Sequence, residues 1–396
     1  MRYFIVFIII LLILPFSCQK SDESENVTPQ NNQTNQSTES SSNTNNTEST
    51  NDTQSSNDNS FDRIKMMTDI AEHIIIPSFE NLDKSLEELK EAFELFKINV
   101  TDHNLENLRN KWLNSYKLWQ HVEMFNIGKA MGDYYLYKSN IYPVDTTRVK
   151  QNIDSGNYDL NNPNNYAAQG FPTIDYMLYG LNTDNNKVIN HLRDNSKNMD
   201  YLGVLINTLA EITKSIKEDW YQEKDKFVQS IENSASSNLN MMVNDFIYYY
   251  EKGFRANKFG IPAGVFSGSS LPDRVEGYYS KNFSKVFALE AMNSIKKFFN
   301  GKSYVSSEVS IQSLKSYLDY VESGKEKLLS NDINSQLTIA ENSINELDNN
   351  FSSQISSNLT KVLRTYDDIQ TAVVLLKVDM LQVLNIPVDY VDADGD

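Results

Sequence analysis

Leu359-Thr-Lys-Val-Leu-Arg-Thr-Tyr-Asp-Asp-Ile-Gln-Thr-Ala-Val-Val-Leu-Leu-Lys-Val-Asp-Met-Leu-Gln-Val383 decides the fold class. Its residues Leu359, Val362, Tyr366, Ile369, Val373, Leu376, Met380 and Val383 recur at alternating steps of three and four. That spacing returns a side chain to one face of an α-helix. The run Val373–Leu376 is apolar all round, which predicts that its middle is enclosed by other helices. Asn385-Ile386-Pro387 ends the element, since proline cannot continue a helix.

The same period recurs upstream. Ile64, Met67, Ile70, Ile74 and then Leu82, Leu86, Leu89 and Phe93 predict a helix over Phe61–Val100, kinked or divided at Pro77. Leu105, Leu108, Trp112, Trp119 and Val122 predict a second helix, capped by Asp102 and running to near Gly128. Further helical patterns cover 186–196, 198–233, 236–252, 283–299, 308–329 and 332–348. Met241, Met242 and the run Tyr248–Tyr250 share helical spacing with Phe246 and predict core packing. Alternating strand patterns are scarce. The expected fold is all-α, two helical-bundle domains packed together, with a first bundle over 61–215 and a second over 216–396.

What precedes the helices is of another kind. Met1-Arg2 is followed by an uncharged run, Tyr3–Phe16, too short for a comfortable membrane span and fitting a secretion signal over 1–17. Cys18 is the only cysteine, so no internal disulfide can form. A lone cysteine behind a signal core resembles the lipidation site of bacterial lipoproteins. Cys18-Gln-Lys-Ser-Asp-Glu23 resembles an outer-membrane surface-export signal, or simply begins the acidic tether. From 18 to 60 the chain is nearly all Ser, Thr, Asn, Gln, Asp and Glu and is predicted to be a disordered tether. The expected partner is thus the membrane, through a lipid on Cys18, with an envelope protein as a second. The net charge of −17 argues against nucleic acid, which needs clustered Lys and Arg. Asp392-Ala-Asp-Gly-Asp396 looks like half an EF-hand loop without its closing glutamate and is read as a solvated acidic end.

Tyr166-Ala-Ala-Gln-Gly-Phe-Pro-Thr-Ile-Asp-Tyr-Met-Leu-Tyr-Gly180 is the first place to look for a site. Asp175 shares a helical stripe with Phe171, Ile174 and Leu178, and a carboxylate among apolar groups demands a partner. Tyr179 is one candidate. Glu123 lies eleven residues beyond Trp112, and eleven helical steps return to within roughly 20° of the start, so it too should point inward. Residues 138–165, rich in Asn, Asp, Pro and Gly, predict a long irregular loop. Gly253–Gly277 holds five of the fourteen glycines and predicts a backbone packed closely on another element.

Five ordered blocks together resemble the imelysin-like family of bacterial envelope proteins. They are Ile76-Pro-Ser-Phe79, Trp112–Gly128 with Trp119 and Glu123, Gly170–Gly180, Phe259-Gly-Ile-Pro-Ala-Gly-Val265, and Val374-Leu-Leu-Lys-Val-Asp-Met-Leu-Gln382. The resemblance spans about 65–396 and implies two bundle-like domains with a site in the cleft between them. The family includes proteins proposed as metallopeptidases and others tied to iron uptake. Its signature, Gly-x-His-x-x-Glu, falls here on Gly170, Pro172 and Asp175. The histidine is missing and the glutamate is one methylene shorter.

A peptidase zinc needs imidazole ligands and an open position for water. Of the four histidines, His73, His103, His121 and His191, none stands beside Asp175 in sequence. His103-Asn-Leu-Glu106 lacks the preceding glycine and is expected in solvent. The carboxylates Glu123, Asp145, Asp175, Glu276 and Asp379 remain. An oxygen-only site built on Glu123, Asp175 and Asp145 would take a hard cation such as Fe³⁺ or Ca²⁺. The bland reading has each acid accepting hydrogen bonds that fix bundle register. The leading expectation is an envelope lipoprotein that serves as a binding component in iron, metal or nutrient acquisition and is not an active peptidase. A metal-dependent peptidase with an atypical oxygen-rich site and a partner-docking scaffold are the alternatives.

Overall fold

The computed structural model describes residues 60–388, save 233, 307, 308 and 310. The signal segment 1–17, Cys18, the tether up to residue 59 and the acidic end 392–396 lie outside the described residues. Within them the helical periods become helices, and no strand occurs. In chain order the principal ones are α1 (Arg63–Ile70), α2 (Ile76–Ile98), α3 (Asp102–Trp119), α4 (Thr146–Ser155), α5 (Gly170–Asp175), α6 (Asn185–Asp194) and α7 (Ser196–Gln229). Then follow α8 (Asn238–Tyr248), α9 (Ser284–Asn300), α10 (Leu314–Val321), α11 (Leu329–Asn345), α12 (Phe351–Ser357) and α13 (Leu359–Val374). None is long and apolar enough to cross a membrane.

The described residues gather into one compact unit. Its first half is built on α2, which packs against α3 and α7, and its second on α13, which packs against α11 and the stretch Tyr249–Gly260. Contact between α3 and α9 joins the two groups. The boundary expected between residues 215 and 216 falls inside the unbroken helix α7.

Four stretches among the described residues widen to π-helix: Ala71–Ile75, Tyr176–Gly180, Tyr249–Gly260 and Leu375–Met380. The first explains Pro77. The ring removes the N–H that would bond the carbonyl of His73, four residues back. That carbonyl instead accepts from the backbone N–H of Tyr304 at 2.8 Å, so the chain passes through the proline without dividing.

Several expectations are corrected. Thr101, not Asp102, caps α3, its hydroxyl accepting from the Asn104 N–H at 3.3 Å. Helix α3 ends at Trp119, and Glu123 lies in the tight turns beyond it. The loop 138–165 contains α4, capped by Asp145 and closed by Gly156 at φ 65°. Gly253 and Gly260 lie inside helix, and irregular backbone begins only after Ala263. The close approach is real there: a Cβ on Gly260 would stand 2.7 Å from the Phe266 ring and 2.8 Å from that of Tyr366. The last helix buries Val373 and Leu376 but leaves Val374 exposed, because Ile369, Ala372, Val373 and Leu376 form the buried face and Val374 lies one step off it. Of the Met and Tyr run near α8, Met242, Tyr249 and Tyr250 are buried as expected, while Tyr248 is exposed.

Candidate functional site

Gly170 opens α5 at φ 79°, and a Cβ there would stand 2.3 Å from the Ser139 carbonyl oxygen. Only glycine satisfies both the left-handed backbone and the close approach. Every residue of α5 is buried. Trp112 donates its indole N–H to the Phe171 carbonyl at 3.2 Å, and Tyr116 stacks on Phe171 with ring centroids 4.7 Å apart. This aromatic seat fixes the helix, and with it Asp175.

Asp175 is 1% exposed. Its two carboxylate oxygens accept the backbone N–H groups of Tyr279 and Ser280, each at 3.0 Å. Burial pushes its pKa up to about 7, against the pull of those N–H groups and of Arg109. Asp175 therefore ties the loop around 275–282 to α5. Tyr179 is not its partner. Its ring carries the Arg109 guanidinium, 4.2 Å from the centroid. Arg109 in turn donates to the Leu178 carbonyl through Nε at 3.2 Å and Nη2 at 2.6 Å. Its Nη1 meets Glu106 at 2.5 Å and Asn185 at 2.8 Å.

Glu123 faces inward as expected, but it meets Lys258 rather than Asp175. Glu276 lies between them: its Oε2 accepts from Lys258 Nζ at 2.5 Å, and its Oε1 from Gln120 and Asn140, each at 2.9 Å. Lys258 also donates to Gln120 Oε1 at 2.8 Å. Glu123 Oε1 accepts from Asn140 at 2.8 Å, while its Oε2 stands 3.6 Å from Lys258 with no hydrogen bond. The Trp119 indole and the Tyr249 hydroxyl face the same carboxyl without bonding it. Burial works against the Lys258 charge, but Glu276 and Glu123 outweigh it and hold the pKa above that of ordinary lysine. Burial raises Glu123, an effect that Lys258 opposes and Glu276 reinforces. The cluster is a buried ammonium between two carboxylates.

This donor set does not fit a metal ion. Glu276 has both oxygens engaged, and the negative charge that the two carboxylates would offer a metal cation is already met by the Lys258 ammonium. Among the described residues no three His, Cys, Asp or Glu side chains are arranged to hold a metal. Asp145 does not join Glu123 or Asp175. It is exposed, and its carboxylate accepts the Arg148 N–H at 2.9 Å as a helix cap. Asp379 is half-exposed in the widened turn after α13. His103 and His191 are exposed, and buried His121 bonds Glu290 at 3.1 Å and Tyr304.

Two cavities flank the 275–282 loop. One, of about 200 Å³, lies at the signature itself, against Pro172, Asp175 and Tyr142. The second, of about 710 Å³, opens on the far side, between Tyr179, Tyr279, Asn282 and Ser353. Lys258, Gln120 and Asn140 escaped sequence reasoning. Lysine and the amides ordinarily mark solvent, and the only hint was the apolar, glycine-rich company of Lys258 in Lys258-Phe-Gly-Ile-Pro-Ala-Gly264.

The comparisons with known proteins agree with this architecture. An imelysin-like protein from Psychrobacter arcticum 273-4 superposes with a TM-score of 0.64 at 17% identity, over 83% of this chain and 97% of that one. A protein described as an iron-regulated protein A precursor, from Parabacteroides distasonis ATCC 8503, gives 0.64 at 15% identity, over 80% and 95%. At such identities the likeness is one of fold. No curated protein matches the sequence. The imelysin family model matches residues 75–376, which takes in every helix from α2 to α13 and both anchoring carboxylates, and the chain therefore belongs to the imelysin family.

Proposed function

We propose that this chain is an imelysin-like envelope lipoprotein, held to the membrane by a lipid on Cys18, that binds a nutrient in an iron-linked acquisition system and does not cleave peptides. The observation that supports it best is the Lys258 ammonium between Glu123 and Glu276. Zinc hydrolysis needs three protein ligands and a metal-bound water. Here Pro172 stands in the histidine position, Asp175 holds two backbone N–H groups, and the neighbouring acids are neutralised from within. Lys258 is the one amine beside these carboxylates, and they hold its pKa above that of ordinary lysine, so it stays a protonated ammonium and not a nucleophile. The open cleft of about 710 Å³ next to the signature lies in the size range of small-ligand sites. The iron link draws on the family and on the description of the Parabacteroides relative.

Two measurements test the reading. Purified protein incubated with unfolded casein, with and without added Zn²⁺, should release no peptides. Chelator-sensitive cleavage would favour the metal-dependent peptidase instead. Transcript levels should rise when the parent cells are starved of iron, and an unchanged level removes the iron link while leaving the binding role standing.

A further inference from the structure

The cleft of about 710 Å³ is lined mostly by tyrosine, asparagine and serine. In a chain of net charge −17, no carboxylate lines it. Its only cationic residues are Arg109 and Lys281. Arg109 is committed to Glu106, Asn185 and the Leu178 carbonyl, which leaves Lys281 as the one cation of the lining not taken up by neighbouring groups. The hydroxyls of Tyr179, Tyr278 and Tyr279, the Asn282 amide and the Ser353 hydroxyl make no hydrogen bond with other described residues. Tyr278 is 38% exposed and meets Tyr279 edge-on, centroids 5.1 Å apart.

The walls are fixed before any ligand arrives. Asp175 holds the Tyr279 and Ser280 amides. Gly180 lets Tyr279 lie so close that a Cβ would stand 2.5 Å from its ring. Arg109 lies on the Tyr179 ring. Preorganised, amphipathic rings beside uncommitted amides and hydroxyls suit a ligand with apolar C–H faces and many hydroxyl groups.

We infer that this cleft binds a neutral saccharide, with the tyrosine rings against its C–H faces and Asn282 and Ser353 reading its hydroxyls. The inference rests on the reading of the chain as a binding component, and adds a ligand class to it. Iron association and lack of cleavage are measured by other means, so either can fail without the other.

The test is calorimetric titration of the full-length chain in detergent with defined oligosaccharides of glucose, mannose, galactose, xylose and N-acetylglucosamine, and with uronic-acid counterparts. At least one neutral sugar should bind with a Kd between about 1 μM and 1 mM. Tyr278→Ala and Asn282→Ala, both at surface positions, should each weaken it about tenfold or more with an unchanged melting temperature. No binding across the neutral panel at about 10 mM overturns the inference. So does binding that both substitutions leave intact, or binding confined to uronic acids and lost in Lys281→Ala.

Discussion

Replacing Lys258 with methionine tests the compensated cluster most directly. Methionine keeps an unbranched apolar stem and so leaves little void. It removes the one cation facing two carboxylates whose side chains are 6% and 3% exposed. Breaking a buried ion pair from one side costs about 3–5 kcal/mol, because the remaining charge has no partner. At about 2.1 cal/mol/K per residue, a body of roughly 330 residues unfolds with about 0.7 kcal/mol/K, so Tm should fall by roughly 4–7 °C. Glu123, already raised by burial, loses the cation that opposed the rise. A carboxyl raised in the folded state gives stability that is present at low pH and lost as pH climbs through the folded value. The Tm deficit of Lys258→Met should therefore be larger at pH 8 than at pH 5. The double variant Lys258→Met/Glu276→Gln removes one charge of each sign and should recover most of the loss. Differential scanning calorimetry across that pH range is the assay. A single variant within about 1 °C of the parent, or a double variant worse than the single, refutes the assignment of Lys258 as the compensating charge.

Three further outcomes follow from the same geometry. Asp175→Asn leaves one of the two loop amides without an acceptor and should cost about 1–3 kcal/mol, read by denaturant unfolding. Because burial pushes the Asp175 pKa up to about 7, the parent should lose stability relative to this variant as pH rises from about 4 to 7, and a constant difference across that range contradicts the burial argument. Pro172→His with Asp175→Glu restores the family signature, yet equilibrium dialysis should show no stoichiometric Zn²⁺, since Lys258 still occupies the neighbouring acids; tight zinc binding by this variant would show that the ammonium is no obstacle. Gly180→Ala puts a Cβ 2.5 Å from the Tyr176 and Tyr279 rings and should destabilise by about 1–3 kcal/mol through overpacking, with weaker sugar binding as Tyr279 shifts; equal stability and binding would mean that the rings yield freely.

The helices were legible because periodicity is local: each apolar stripe states its own element before any tertiary contact exists. The inward direction of Asp175 was legible for the same reason; Glu123 does face inward, but it does so from the turns beyond Trp119, where the helical count that predicted it no longer applies. What met those acids was not. Lys258 stands 135 residues after Glu123 in the chain, and a lysine carries no mark of burial until its partners are placed. The backbone N–H groups of Tyr279 and Ser280 that hold Asp175 belong to no side chain at all, so no residue type could announce them.

Four of the five blocks that carried the family resemblance share a physical feature that composition did not show. Ile76–Phe79 directly follows the π-helical turn Ala71–Ile75, and Gly170–Gly180 contains Tyr176–Gly180. Phe259–Val265 takes in the end of Tyr249–Gly260, and Val374–Gln382 contains Leu375–Met380. A widened turn is less stable than α-helix and is found where a side chain or backbone group must be re-aimed. Regular helix can be built from many interchangeable apolar residues. A widened turn accepts few: Pro77 frees a carbonyl that the Tyr304 N–H takes up, Gly180 needs the space of a missing Cβ, and Lys258 reaches Glu276 from within the π-helical stretch Tyr249–Gly260. The fifth block, Trp112–Gly128, has no widened turn, but it leaves helix at Trp119 to carry Gln120 and Glu123 to the same lysine. The recognisable sequence of this chain is thus the set of places where its helices depart from regularity, and three of those departures, after Trp119, at Tyr176–Gly180 and at Tyr249–Gly260, meet the buried cluster or the loop tied to Asp175.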